Sequence, residues 1–171
     1  MAVFGKSYTP LTSQGVELVK VLPRKSSLVV FSGWLLFVAF CLNWIWEMVQ
    51  MPTYVEMAGR VWWETVSTCT WATLGDVGLT FAIYGLGALA AGRSDWALNP
   101  KWNVYAFAAI LGATCAVAIE WRALGSARWS YSDRMPVVPL LQVGLWPLLQ
   151  LTILVPAALG IAAWLTRRKR F

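Results

Sequence analysis

Three carboxylic acids, Glu47, Asp76 and Glu120, lie inside segments that are otherwise apolar. A carboxylate in hydrocarbon costs roughly 2.5–3.5 kcal/mol on insertion scales, so acids at matching depth in three segments indicate a site. Carboxyl groups both donate and accept protons, and an apolar pocket favours their neutral form. The three acids therefore predict either proton chemistry or structural pairing between helices.

The first acid belongs to a polar helix face. Asn43, Glu47 and Gln50 are spaced i, i+4 and i+7, and Trp46 lies beside them. In lipid, such a face must point at other helices or at a wet cavity. Its structural alternative is interhelical hydrogen bonding that holds a bundle together.

The other two acids also have structural alternatives. Asp76 is expected near the start of its helix, where the helix dipole favours an acid. Glu120 precedes Trp121 and Arg122, which allows an ion pair at the membrane interface.

Further polar residues follow in the last third of the chain. Trp129, Tyr131 and Arg134 lie in a loop that predicts a lid over the acids. Gln142, Trp146 and Gln150 are spaced i, i+4 and i+8, which predicts a stripe entering the last helix and facing the same cavity.

The composition narrows the chemistry. The chain has no histidine, and its cysteines, Cys41, Cys69 and Cys115, lack metal-ligand spacing. The usual acid–base residue at neutral pH and the commonest metal ligand are thus missing. Histidine-rich di-iron lipid enzymes are excluded, and we expect no metal and no cofactor.

The elements that must position these residues are membrane spans. The 171 residues are 58% hydrophobic and 13% charged, whereas soluble domains are roughly 25% charged. Runs of about 20 apolar residues predict spans at 28–50, 70–91, 103–121 and 137–166. We therefore expect an all-α integral membrane four-helix bundle over 27–171, after a polar tail at 1–26. Three prolines predict a re-entrant or kinked start to the fourth helix.

Basic residues predict the orientation. With both termini inside, the inner segments hold ten of the 14 Lys and Arg residues and the outer loops hold four. This asymmetry favours an N-in, C-in arrangement, with all three acids at the outer-leaflet end. The net charge of +6 then reflects topology and anionic lipid, and no nucleic-acid partner is expected.

Several motifs carry a resemblance to known proteins. Asn43-x-x-Trp46-Glu47-x-x-Gln50-x-Pro52-x-Tyr54, Gly75-Asp76 and Trp129-x-Tyr131-x-x-x-Met135-Pro136 resemble a family of small bacterial inner-membrane proteins of uncharacterised function. The likeness spans roughly residues 40–156 and implies the same location. In addition, Leu42-Asn43-x-x-Trp46-Glu47 is similar to a motif of membrane-bound terpene cyclases of fungal meroterpenoid pathways. That similarity implies an acid catalyst at Glu47.

Two functions follow from these residues. One is an enzyme that isomerises, cyclises or hydrates an apolar isoprenoid or lipid, with Glu47 as general acid and Asp76 or Glu120 as base. Aromatic walls would stabilise a carbocation there. The other is a non-enzymatic small subunit or assembly factor of a larger membrane complex. Such a subunit would bind lipid or pigment through a surface rich in tryptophan, of which the chain has 12.

Overall fold

The computed structural model describes residues 24–168, which form mainly four α-helices. These are α1 (Arg24–Gln50), α2 (Trp62–Ala91), α3 (Trp102–Gly125) and α4 (Leu145–Arg168). Within these described residues, each of the four helices is long and apolar enough to span a membrane, in agreement with the four spans that the sequence predicts. Residues 1–23 of the predicted polar tail and 169–171 at the C-terminal end lie outside the described residues.

The second helix begins earlier than the sequence predicts. Hydropathy places its start at residue 70, whereas α2 begins at Trp62. It ends at Ala91, and Gly92, which follows, adopts a left-handed φ of 64°. Residues 62–69 are less apolar, but nothing in them interrupts a helix. Asp76 is therefore about 21 Å along α2 from its first residue. A helix dipole acts within the first turn, so the helix-start interpretation of Asp76 is wrong.

Helix α4 packs between α1 and α3, and α1 also packs against α2. Among the helix pairs that pack side by side, α2 and α3 touch each other least, and the space between them is less filled. The tightest approach is between α3 and α4 at Gly112, where an added Cβ would lie 2.3 Å from the Leu151 carbonyl oxygen. Only glycine allows the two backbones to come this close. The core between the helices is lined by Leu35, Ala39, Val155, Leu159 and Ala162.

The chain immediately before α4 is not helical. Val137–Val138 pairs antiparallel with Val143–Gly144, and α4 begins at Leu145. Gln142 lies in the connection, with a positive φ of 55°. The predicted stripe on the last helix is therefore wrong for Gln142, because this residue precedes α4. The ribbon accounts for the irregular start predicted here, while a re-entrant path or a kink stays a prediction.

The two ends of the bundle differ. We call the end at which α1 and α3 finish and α4 starts the site end, and the other the opposite end. At the opposite end, the Trp96 ring stacks on Tyr84 and fills the space that a side chain at Gly87 would need. Arg167 donates a hydrogen bond to the Leu98 carbonyl. The opposite end is thereby packed with side chains.

Candidate functional site

A cavity of about 680 Å³ lies at the site end, and all four helices contribute to its walls. Glu47, Asp76 and Glu120 all line it. Glu47 and Glu120 are 6% and 3% exposed, so these acids face the cavity from within the fold. The remaining walls are largely apolar or aromatic and include Met51, Trp71, Leu79, Ala116, Ile119, Trp129 and Leu151.

Glu47 and Asp76 form one carboxyl pair. Their side chains lie within hydrogen-bonding distance of each other, although they come from different helices. The Gln150 side-chain nitrogen lies 2.9 Å from a Glu47 oxygen and 2.8 Å from an Asp76 oxygen. The Gln50 amide donates to the same Glu47 oxygen at 3.0 Å. Helices α1, α2 and α4 are therefore joined at this pair.

The Gln150 amide is shared among more acceptors than it has protons. Its nitrogen carries two N–H groups, yet oxygens of Glu47, Asp76 and Asn43 all lie within 3.1 Å. Its own oxygen accepts from Gln50 at 3.0 Å. The Asn43 amide donates to the Ala39 carbonyl at 2.9 Å, which fixes which Asn43 atom faces Gln150. A change in any one of these bonds must therefore alter the others that share the Gln150 amide.

Glu120 has different neighbours from the other two acids. Its carboxyl group accepts hydrogen bonds from the Tyr131 hydroxyl, from Trp129 Nε1 at 3.3 Å and from the Tyr54 hydroxyl. The Tyr131 oxygen in turn accepts the Gly144 N–H at 2.8 Å. Three aromatic donors thus surround one carboxyl group and hold it in a defined position.

Both tyrosines that donate to Glu120 are held in the neutral form. Burial raises the pKa of the Tyr54 phenol well above its ordinary value of 10.0, and the Glu120 and Glu47 carboxyls raise it further. Burial likewise raises the pKa of the Tyr131 phenol, and so does the hydrogen bond to Glu120. Each phenol therefore remains a hydrogen-bond donor throughout the physiological pH range.

Two chain segments are tied together next to Glu120. The segment after α1 and the loop after α3 meet at an antiparallel bridge between Tyr54 and Tyr131. Val55 N–H donates to the Ser130 carbonyl at 3.1 Å, and Ser132 N–H donates to the Thr53 carbonyl at 2.9 Å. These backbone bonds fix the position of both tyrosines relative to the α3 carboxyl group.

No protein-family model, curated protein or solved structure matches this chain. The resemblances noted in the sequence therefore stay predictions. Among residues 24–168, no group of three or more His, Cys, Asp or Glu side chains could hold a metal ion.

Six residues predicted to bind substrate lie in the two hydrogen-bonded clusters. Asn43, Gln50 and Gln150 contact the carboxyl pair directly or through one another, Trp46 donates to Gln50 at 3.1 Å, and Trp129 and Tyr131 donate to Glu120.

The other three predicted residues lie away from the cavity. Arg134 is exposed, Gln142 bonds the nearby Pro139 carbonyl, and Trp146 packs edge-on against Trp46.

Three residues that line the cavity are not among the site residues that the sequence predicts: Tyr54, Arg60 and Arg128. Tyr54 follows Pro52 just beyond the helix end, and this placement beside a polar helix face is the signal that could have identified it. Arg60 and Arg128 are two of the four basic residues that the orientation argument places in the outer loops. Nothing in their spacing indicated that they border the same cavity.

Proposed function

We propose that this protein is a membrane enzyme that performs acid–base chemistry on an apolar isoprenoid or lipid. The observation that carries the proposal is that three carboxyl groups line one cavity in two separate hydrogen-bonded clusters. Two of them are paired, while the third is held separately by aromatic donors. Opposite protonation of neighbouring carboxyl groups is the usual arrangement for an acid and a base in one site.

The paired carboxyls are the proposed proton source. Two carboxyl groups hydrogen-bond each other only when at least one of them carries a proton, so the Glu47–Asp76 pair in this arrangement would have a proton to give. Glu47 is buried, whereas Asp76 is partly exposed to the cavity. The likeness of the Glu47 motif to terpene cyclases supports the assignment of Glu47 as the acid. Glu120, which accepts from three donors, is the proposed base.

The reaction balances without a cofactor. A proton from the carboxyl pair adds to one carbon of an alkene, and the π electrons form the new C–H bond. The positive charge then rests on the adjacent carbon, where aromatic faces such as Trp129 stabilise it. Glu120 removes a proton from a neighbouring carbon, and those electrons form the new double bond. The product is an isomer, or a ring if another double bond attacks the cation first.

We place the enzyme in the bacterial inner membrane with both termini inside, so that the cavity lies at the outer-leaflet end. The distribution of basic residues and the resemblance to small inner-membrane proteins support this assignment.

Proton transfer to carbon is directly measurable. The purified protein is reconstituted with a bacterial lipid extract in deuterated buffer, and the lipids are analysed by mass spectrometry. Alkene protonation leaves a C–D bond that does not wash out, so we expect deuterium in one class of lipid. Glu47→Gln keeps the size and hydrogen-bonding capacity of the side chain but has no proton of comparable acidity. It is expected to abolish incorporation.

A matched control excludes general damage. Gln142→Glu adds a carboxyl group at the same end but outside the cavity, and it should leave incorporation unchanged. Incorporation that persists in Glu47→Gln would refute the proposed acid. No incorporation with any lipid, together with co-purification of other membrane subunits, would favour the non-enzymatic alternative.

A further inference from the structure

We propose that the ligand of this cavity is an amphiphile that carries a phosphate-type anionic group on an apolar chain. Its anionic group would bind Arg60 and Arg128, and its chain would lie between α2 and α3. This inference rests on the proposed site and names the class of molecule that the site receives.

Arg60 lies at the cavity rim in a fixed position. Its Nε donates to the Glu56 carbonyl at 2.8 Å, and its Nη1 donates to Thr68 Oγ1 at 3.0 Å. These two bonds orient the guanidinium group and leave its other N–H groups available. A planar guanidinium presents paired donors that match the oxygens of a phosphate group.

Arg128 borders the same cavity from the loop after α3. Its guanidinium lies 5.5 Å from the centre of the Trp129 ring, and Trp129 donates to Glu120. Among the described residues, no carboxylate forms a close ion pair with Arg60 or Arg128, whereas Arg93 pairs with Asp95 at the opposite end. Glu56 is the acid that interacts electrostatically with Arg60, without forming a salt bridge to it.

The rim also holds one acid, Glu56. Its carboxylate accepts a hydrogen bond from the Ser130 hydroxyl at 2.7 Å, so it is engaged with the loop. With two arginines and one glutamate, the rim is net positive, whereas the interior holds the three carboxyl groups. An anion is therefore attracted at the rim and repelled from the interior. This polarity orients an amphiphile with its anionic group outward and its chain directed at the acids.

The gap between α2 and α3 suits an apolar chain. Its lining runs along α2 from Thr68 to Leu79, a distance of about 16 Å. Small residues, Ala72, Gly75 and Ala116, widen it. A Cβ added at Gly75 would meet nothing within 4 Å, so the space beside this residue is open. The chain of the proposed ligand would enter from the bilayer between α2 and α3, the least closely packed of the neighbouring helix pairs.

The test compares a ligand that has both the apolar chain and the anionic group with two ligands that have only one of these parts. The protein is placed in nanodiscs of zwitterionic phospholipid, and calorimetry measures binding of a prenyl phosphate, the corresponding prenyl alcohol and inorganic phosphate. A competition arm adds vesicles that contain phosphatidylglycerol. We expect the prenyl phosphate to bind roughly tenfold or more tightly than the alcohol, the size of effect that one charge-assisted contact provides. Inorganic phosphate should bind much more weakly than either.

Variants assign the two parts of the ligand. Arg60→Gln and Arg128→Gln should each weaken binding of the prenyl phosphate and leave the alcohol unchanged. Arg122→Gln is the matched control, because Arg122 is an exposed arginine at the same end that does not line the cavity. Gly75→Leu should block both prenyl ligands, whereas Gly78→Leu, whose site is equally open but lies outside the cavity, should not.

Two results would overturn the proposal. One is equal affinity for the prenyl phosphate and the prenyl alcohol, or equal affinity for the prenyl phosphate in the Arg60, Arg128 and Arg122 variants. The other is inorganic phosphate binding as tightly as the prenyl phosphate, which would make the site one for a free anion. Displacement of the prenyl phosphate by phosphatidylglycerol would support the shared chemistry and identify a bilayer lipid as its source.

Failure of this inference differs from failure of the proposed function. If binding selects the phosphate but deuterium never enters any lipid, the ligand class stands and the catalysis is refuted. If deuterium enters an uncharged isoprenoid and the arginine variants have no effect, the catalysis stands and the phosphate-type ligand class is refuted.

Discussion

A single added methyl group at Gly112 tests how tightly α3 and α4 are held together. In Gly112→Ala, the new Cβ would lie 2.3 Å from the Leu151 carbonyl oxygen and 2.8 Å from its carbon, whereas ordinary contact begins near 3.4 Å. The helices would have to separate by about 1 Å. Helix α4 cannot retreat freely, because α1 packs against another of its faces.

The expected cost follows from this geometry. Overpacking a well-filled interior destabilises by roughly 1–3 kcal/mol. Gly78→Ala is the matched control, since a Cβ there meets nothing within 4 Å. Replacing glycine by alanine within a helix stabilises by roughly 0.5–1 kcal/mol when no clash occurs. The two substitutions should therefore change the free energy of unfolding in opposite directions: Gly112→Ala should lower it and Gly78→Ala should raise it.

Both effects are measured by equilibrium unfolding in mixed micelles of a mild detergent and dodecyl sulfate, with circular dichroism as the readout. The Gly112→Ala curve should shift to lower denaturant and the Gly78→Ala curve should not. Equal stability of the two variants would refute the conclusion that the α3–α4 distance is set by glycine. Because Leu151 adjoins Gln150, ligand affinity should fall together with stability in Gly112→Ala.

The remaining predictions concern the two carboxyl clusters. Gln150→Leu removes the amide that joins Glu47 to Asp76. Interhelical hydrogen bonds in membranes contribute about 0.6 kcal/mol each and at most about 1.7 kcal/mol. The free energy of unfolding should therefore fall by about 1–3 kcal/mol in the same assay. An unchanged curve would mean that the bonds contribute nothing net. Tyr131→Phe removes one donor to Glu120, and deuterium incorporation should fall while the unfolding curve moves by less than for Gln150→Leu. The pKa of Tyr131 is raised in the folded state, so its stabilising contribution is complete below the unfolded pKa of about 10 and is lost as pH rises towards the folded pKa. A spectrophotometric titration of the parent protein minus Tyr131→Phe should place this phenol above pH 10, and a midpoint at 10 would contradict its burial.

The sequence predicts the helices well where apolar runs are long. It predicts them less well at their ends, because hydropathy reports contact with lipid and residues 62–69 are helical without being strongly apolar. All three acids line one cavity, as the sequence predicts, although the predicted start of α2 that set the depth of Asp76 is wrong. Their division into a pair and a separate Glu120 does not follow from the sequence, because it depends on how far each helix is rotated about its axis. Gln142 was misplaced because residues 137–144 form a ribbon with a left-handed turn residue, which periodicity cannot reveal.

The packed opposite end has a consequence for how protons circulate. The cavity lining does not include Trp96, Tyr84 or Leu98, which pack at the other end. In the proposed reaction, protons given to a substrate and protons taken from it would then enter and leave through the same face. Turnover would move no net charge across the bilayer, so the reaction rate should not respond to an imposed membrane potential. It should follow the pH of the one compartment that the cavity faces.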